Sequence, residues 1–361
     1  RGHLHRLLKR SAGREGHEGK HGKQGTHGHN LAGYPETMQR LFLTALSCAG
    51  LGCVGTVGAT NLDFGVTYPF TARVGVSDWR VLSGSVAAGV SIRGVDVTYS
   101  RGLSLAPLGA LNTSLTGQVA WNGGFRVSSA ATGALGPVAL NLSGAYFTTP
   151  ATTFDPLAGW TLAPTDLRAH GWQADLNVRY RVNRQTVAVL GTELGGQWNV
   201  YGGAEFRRDL TRTLPRAEGD DPEAPLETET TGTLAYRVGA RAGAGVLAAT
   251  AGVTYTTQAG RSLTLDAQYG PERNGNSGLG VVASVSFPEV LGENSSLRVY
   301  TAYEPWRWNT NPLRAGVEVT RPVGPGTLKL DVRSGLTRDA QAGFGVAVGY
   351  SYPLGQSESQ P

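Results

Sequence analysis

The sequence predicts an all-β fold, a closed antiparallel up-and-down transmembrane barrel of about 16 strands, within a range of about 14 to 18. Three observations predict it. Long stretches alternate apolar and polar residues with period two. Gly, Asn and Pro clusters separate these stretches. The composition disfavours helices, with 52 Gly in 361 residues, 16% charged residues and a mean hydropathy of −0.18. Glycine in a helix interior costs about 1 kcal/mol relative to alanine. No internal run approaches the roughly 20 apolar residues of a transmembrane helix. The 13 Tyr, 7 Trp and 9 Phe are spread along the chain, which argues against a disordered Gly-rich polymer.

The first 59 residues are expected to lie outside the fold. Residues 1–37 carry His3, His5, His17, His21, His27 and His29 among Gly, Lys, Arg and Gln, with no apolar periodicity. This reads as a disordered His-rich basic extension; a start at the single methionine, Met38, would leave it out of the native product. Residues 38–59 read as a secretory signal peptide. Met38-Gln39-Arg40 precedes the apolar run Leu41 to Val54, and Val57-Gly58-Ala59 supplies a small-residue cleavage site. Gly50 and Ala45 stand three residues before Cys53 and Cys48, where a lipoprotein signal would need leucine. Both cysteines fall in this segment, so the chain from about Thr60 has no disulfide, no Cys site and one histidine, His170.

From there the alternation is nearly continuous. Leu62, Phe64, Val66 and Tyr68 oppose Asp63 and Thr67, and the run from Leu111 to Trp121 behaves likewise. Over 172–182, Trp172, Ala174, Leu176, Val178, Tyr180 and Val182 form one face, and Gln173, Asp175, Asn177, Arg179 and Arg181 the other. Eleven residues of strict alternation exceed the usual five or six of a strand and match a tilted membrane-spanning one. The pattern returns near Trp198 to Phe206, Leu234 to Ala242, Leu263 to Tyr269, Leu297 to Tyr303, Leu313 to Val319 and Leu328 to Leu336. Turn signals lie between, among them Gly195-Gly196, Gly243-Ala244-Gly245, Asn274-Gly275-Asn276 and Pro322 to Gly326. A soluble sandwich would use shorter strands. In lipid the sheet must close, because an open edge leaves unpaired backbone groups in hydrocarbon.

The last alternating stretch, Phe344, Val346, Val348, Tyr350 and Tyr352, resembles the terminal strand of bacterial outer-membrane β-barrel proteins of the porin-like kind. That resemblance is one of pattern, covers about Asn61 to Leu354 and includes no subfamily motif. It implies an outer-membrane location and recognition by the outer-membrane assembly machinery. It also implies a possible homo-oligomer. The chain departs from the pattern by continuing through Pro353-Leu354 into a polar tail, 355–361, which weakens the assembly signal. The fold is therefore assigned to 60–354.

The polar face supplies the candidate pore lining: Asp175, Arg179, Arg181, Glu205, Arg207, Arg237, Arg241, Asp266, Arg298, Glu318, Lys329 and Arg333. Arg93, Asp96, Glu304, Arg314 and Asp331 complete a set of ten basic and seven acidic residues. An open lumen so lined is expected to be a passive channel for small hydrophilic solutes with a weak anion preference. The alternative is a closed structural or adhesive barrel whose loops bind partners. Aromatics near strand ends, Trp172, Tyr180, Trp198, Phe206, Tyr303, Trp306, Tyr350 and Tyr352, read as girdles at the lipid interface. Long loops are expected at Thr148 to Leu167, at the acidic stretch Leu210 to Thr230, and at Glu304 to Pro312 as belt plus loop.

No enzyme, cofactor or metal site is expected. His170 lies at a loop–strand boundary in Ala169-His170-Gly171-Trp172, without the serine motif of a barrel lipase. Gly239 to Gly252 lacks the Gly-Lys-Ser/Thr ending of a phosphate loop. No basic stripe with interleaved aromatics suggests nucleic acid.

Overall fold

A computed structural model describes residues 60–214, 228–275 and 277–354. The extension, the signal peptide, the polar tail and most of the acidic stretch lie outside the described residues. The described residues all belong to one compact unit.

The described residues form eighteen strands. They are β1 (Thr60–Tyr68), β2 (Thr71–Val81), β3 (Gly84–Ser91), β4 (Gly94–Leu105), β5 (Gly109–Ala120) and β6 (Phe125–Leu135). Then follow β7 (Val138–Phe147), β8 (Gly171–Arg181), β9 (Thr186–Leu194), β10 (Asn199–Thr213), β11 (Thr228–Gly243) and β12 (Val246–Thr257). The last are β13 (Ser262–Tyr269), β14 (Gly280–Pro288), β15 (Ser296–Tyr303), β16 (Leu313–Val323), β17 (Gly326–Leu336) and β18 (Ala342–Leu354). Each strand pairs antiparallel with its sequence neighbours, and β1 pairs with β18 from Thr60↔Leu354 to Tyr68↔Val346. The sheet therefore has no free edge. Eighteen is the top of the expected range. The strands that blur the sequence pattern are rich in Ala, Ser and Gly, such as β3 (GSVAAGVS) and β6 (FRVSSAATGAL).

The pairing register fixes the two faces. Arg73 stands opposite Ser91, Gly89 opposite Asp96, and Asp96 opposite Gln118, so polar residues align around the inside. Large apolar residues, including Phe64, Val66, Leu115, Leu190, Val238, Leu265 and Val299, are exposed on the outside. The polarity is inverted relative to a water-soluble protein, whose apolar face is buried. Such an exterior is stable only against lipid.

Glycine has a particular task on the inner face. At Gly191 and Gly316 an added Cβ would collide with the rings of Tyr201 and Tyr300 from the neighbouring strands. The missing side chains let those rings lie flat across the wall. The hairpin turns use the same residue for its backbone freedom: Gly245 closes the two-residue β11–β12 turn at φ +77°.

An even number of strands puts Thr60 and Leu354 on one rim, here the terminal rim. The opposite, loop rim carries the β7–β8 connection (148–170), which includes two single-turn 3₁₀ helices, Ala151–Thr153 and Ala158–Trp160.

Candidate functional site: a two-loop constriction

Two loops from the loop rim fold into the lumen and meet. The β7–β8 loop reaches strands on the far wall. Tyr300 Oη donates to the Trp160 carbonyl at 2.9 Å, Arg333 Nη1 to the Leu157 carbonyl at 3.2 Å, and Arg93 Nη1 to the Thr152 carbonyl at 3.3 Å. Leu157 is buried, and its side chain occupies the space over Gly345, while Trp160 sits over Gly335 and Gly343. The small residues of β17 and β18 thus form a seat for two loop side chains.

The β15–β16 loop (304–312) comes from the other direction. Gln197 Nε2 donates to the Trp306 carbonyl at 2.9 Å, and Trp308 N–H donates to Gln197 Oε1 at 2.9 Å. The loops join where Leu167 N–H donates to the Asn309 carbonyl at 2.9 Å and Asn311 Nδ2 to the Gly159 carbonyl at 3.0 Å.

An ion network locks the second loop to the wall. Arg307 bridges Glu193 of β9 (2.6 Å) and Glu304 (3.0 Å). Glu304 also pairs with Arg314, whose Nε donates to the Thr161 carbonyl at 3.1 Å. Glu193 in turn holds Arg241 at 3.1 Å and accepts from Asn199 at 2.8 Å. Buried charges persist only when paired and hydrogen-bonded, and each of these is doubly bonded. Burial alone would raise the Glu304 carboxyl, but the Arg307 and Arg314 guanidiniums outweigh it and hold Glu304 below the ordinary carboxylate range. Glu304 and Glu193 likewise push Arg307 further up than its usual value, against the effect of burial.

Trp306 corrects the girdle expectation. It is fully buried (0% exposed) inside the barrel, with Arg307 4.3 Å and Arg241 4.9 Å from its ring, and it packs on Val246 and Ala248. The expectation of a belt at Glu304 to Pro312 falls with it, because this loop turns inward to neutralise Glu193. Trp172, Tyr180, Trp198, Phe206, Tyr303 and Tyr352 are exposed on the outer face, and Tyr350 is half-buried with its hydroxyl on the Val323 carbonyl.

The twelve candidate lining residues all fall on the inward register, and most are paired. Arg179 and Arg207 share Glu205 (both 2.8 Å), Arg237 holds Asp266 (2.8 Å), and Arg298 lies 3.8 Å from Glu318. Arg333 pairs with Asp331, and Arg73, which the periodic runs did not single out, pairs with Asp96 at 2.7 Å. Among the described residues Arg181 and Lys329 make no ion pair within 4.0 Å, and Asp175 makes only a hydrogen bond from Ser143. His170 is exposed on the β7–β8 loop just before β8.

Sequence reasoning missed Glu193 and Arg307, the centre of the network. Glu193 stands on a strand whose inner face is otherwise Val and Gly, and Arg307 lies in a loop with no period. The available signal was the density of Glu304, Arg307, Asn309, Asn311 and Arg314 in one short stretch.

Cavities remain around the two loops. One of about 540 Å³ lies between β7–β10 and the loops, one of about 340 Å³ against β10–β14, and one of about 410 Å³ beside Phe154 and Asp155.

A closed barrel with an apolar exterior and a charged, loop-filled interior has the architecture of a transmembrane β-barrel. No protein-family model matches the sequence, and no curated protein matches it. Solved structures do. A mutant of the Rhodopseudomonas blastica porin aligns at 10% identity and TM-score 0.38 over 82% of this chain and 99% of its own. Pseudomonas aeruginosa OccK10 (OpdN) aligns at 11% identity and TM-score 0.42, with 82% and 98% covered. The outer membrane protein opdK of the same organism aligns at 11% and 0.37, with 82% and 97% covered.

Proposed function

We propose that this barrel is a passive channel for small hydrophilic solutes, narrowed near one rim by the β7–β8 and β15–β16 loops. The observation that carries the reading is the polar wall beside unfilled space. A lumen of eighteen strands exceeds what inward side chains can fill, and the two loops leave cavities of about 540, 340 and 410 Å³ around them. The loop rim is the extracellular side in this reading, because it carries the β7–β8 and β15–β16 loops and barrels of this class carry their longer loops outside; the β10–β11 connection, 214–227, leaves from the opposite rim.

The sequence count of ten basic to seven acidic residues shrinks once pairs are formed. Arg181 and Lys329, towards the terminal rim, support a weak anion preference confined to that wider half. The experiment is planar-bilayer recording of refolded protein in a KCl gradient. Steady ohmic steps with a reversal potential shifted slightly towards chloride are expected. Absence of steps from protein with heat-modifiable gel mobility would favour the closed, loop-binding barrel.

A further inference from the structure

Most cations of the inner wall are committed to carboxylates, but one pair of arginines at the terminal rim is not. Arg80 and Arg101 line a cleft of about 580 Å³ between the β2–β3 turn and the β4–β5 hairpin, and no Asp or Glu lines it with them. Both side chains belong to exposed residues, and among the described residues neither makes an ion pair or a side-chain hydrogen bond. Asp78, the nearest acid along β2, accepts from Asn61 at 2.7 Å and stands outside the lining.

The cleft borders the lipid-facing wall. Asp96 points inward to Arg73, so alternation along β4 puts Arg101 on the outer register with Tyr99 and Leu103. The Tyr99 ring lies over Gly84 on that face, and Trp79, next to Arg80, is 44% exposed. Aromatics of this kind mark the level at which headgroups meet a barrel wall. A guanidinium on the outer register at that level needs an anion or water beside it, and the protein supplies no anion.

Two further features suit a ligand with a phosphate at one end and hydrocarbon at the other. β3 pairs with β4 only as far as Ser85↔Ser100, so the β4 backbone from Gly102 to Leu105 has no strand on that side and presents unpaired N–H groups there. Gly102 lies in this free stretch, and a Cβ there would meet only Asn112 Oδ1, at 3.5 Å, so an anion can approach the backbone closely. Leu82, at the β2–β3 turn, is 95% exposed and held in the left-handed region at φ 57°, which is disfavoured for a residue with a Cβ. The turn thus presents an apolar side chain beside two uncommitted cations.

We propose that this cleft binds the phosphate headgroup of an anionic phospholipid from the leaflet that meets the terminal rim. Arg80 and Arg101 hold the phosphate oxygens, and the acyl chains lie against Leu82 and the outer wall. Arginine suits the task because its planar fork meets two phosphate oxygens at once. The assignment does not depend on whether the barrel conducts.

The test reads lipid composition locally. A variant keeping Trp79 as its only tryptophan is refolded into vesicles of phosphatidylcholine and phosphatidylglycerol, with bromine on the acyl chains of one lipid or the other. Brominated phosphatidylglycerol is expected to compete about tenfold better than brominated phosphatidylcholine for the site beside Trp79. At Trp198, on the opposite rim, the two lipids are expected to quench equally. The double change Arg80→Gln, Arg101→Gln should remove the preference at Trp79, and Arg80→Lys, Arg101→Lys should keep part of it. Heat-modifiable mobility confirms that each variant is folded. Equal quenching of Trp79 by the two lipids, or a preference that survives the glutamine changes, would overturn the proposal. Calorimetry with inorganic phosphate separates the sources: phosphate binding to the detergent-solubilised barrel without any phosphatidylglycerol preference at Trp79 would assign the cleft to a free anion and overturn the lipid. Should the single-tryptophan barrel not fold, native mass spectrometry of the unaltered barrel from mixed micelles decides. Retained phosphatidylglycerol that is lost in the double glutamine variant sustains the site, and equal retention in both overturns it.

Discussion

Replacing Arg307 with alanine should release the β15–β16 loop from the wall and widen the pore. The side chain makes two bonds to Glu193, at 2.6 and 3.1 Å, one to Glu304 at 3.0 Å, and a cation–π contact with Trp306 at 4.3 Å. Breaking a buried ion pair typically costs about 3–5 kcal/mol because the abandoned charge is stranded. Here both carboxylates keep another partner, Arg241 for Glu193 and Arg314 for Glu304. The loss is then that of the contacts themselves, about 1.5–3 kcal/mol for bonds to each charged group and about 1 kcal/mol for the ring contact. A total of about 4–7 kcal/mol, at 1.4 kcal/mol per factor of ten, enriches the undocked loop about 10³- to 10⁵-fold. The barrel should survive, because the β15–β16 register does not involve Arg307. Single-channel recording is the assay: larger mean conductance with frequent flicker between two levels is expected, with heat-modifiable mobility unchanged. A variant whose conductance and noise equal those of the unaltered barrel would show that the network does not hold the constriction.

Further expectations follow from the same geometry. Gly343→Val places a side chain where Trp160 sits, so the β7–β8 loop should lose its seat and become cleavable by added protease near Trp160; an uncut loop would refute the seat. The Glu304 carboxyl is held below its ordinary range, so its contribution to loop docking is fully present above the unfolded value of about 4.3 and is lost as the pH falls through the lower folded value. Conductance should therefore be flat from neutrality down to about pH 5 and rise only in stronger acid; a change centred near neutrality would contradict the assignment. Val238→Arg on the outer face of β11 should destabilise the folded barrel by about 2–4 kcal/mol in vesicles, measured by denaturant titration, if that position lies near the bilayer centre.

The barrel was legible wherever one face carried large apolar residues and the other charges, as in β8 and β17. It faded in β3, β12 and β14, whose inner faces hold Ala, Gly, Ser, Thr or Val and so contrast little with the outer face. The same small residues are what allow Arg73 to lie across Gly89 and Tyr201 across Gly191, so their weak pattern reflects packing inside a curved wall. The inward register of Asp175, Arg179, Arg237 and Arg333 could be read from alternation alone. The constriction could not, because loops have no period and their direction depends on distant partners. Trp306 shows the consequence: an aromatic beside Tyr303 at a strand end reads as a girdle residue until Arg241 and Arg307, from separate elements, are found around its ring.

The inside-out barrel is tested most directly by tryptophan quenching with brominated acyl chains. Single-tryptophan variants retaining Trp198, exposed on the outer face, or Trp306, enclosed in the lumen, are refolded into vesicles of brominated phospholipid. Fluorescence of Trp198 should be strongly quenched and that of Trp306 left nearly unchanged. Equal quenching of the two, or quenching of Trp306 alone, would contradict a wall with lipid outside and a loop-filled polar lumen within.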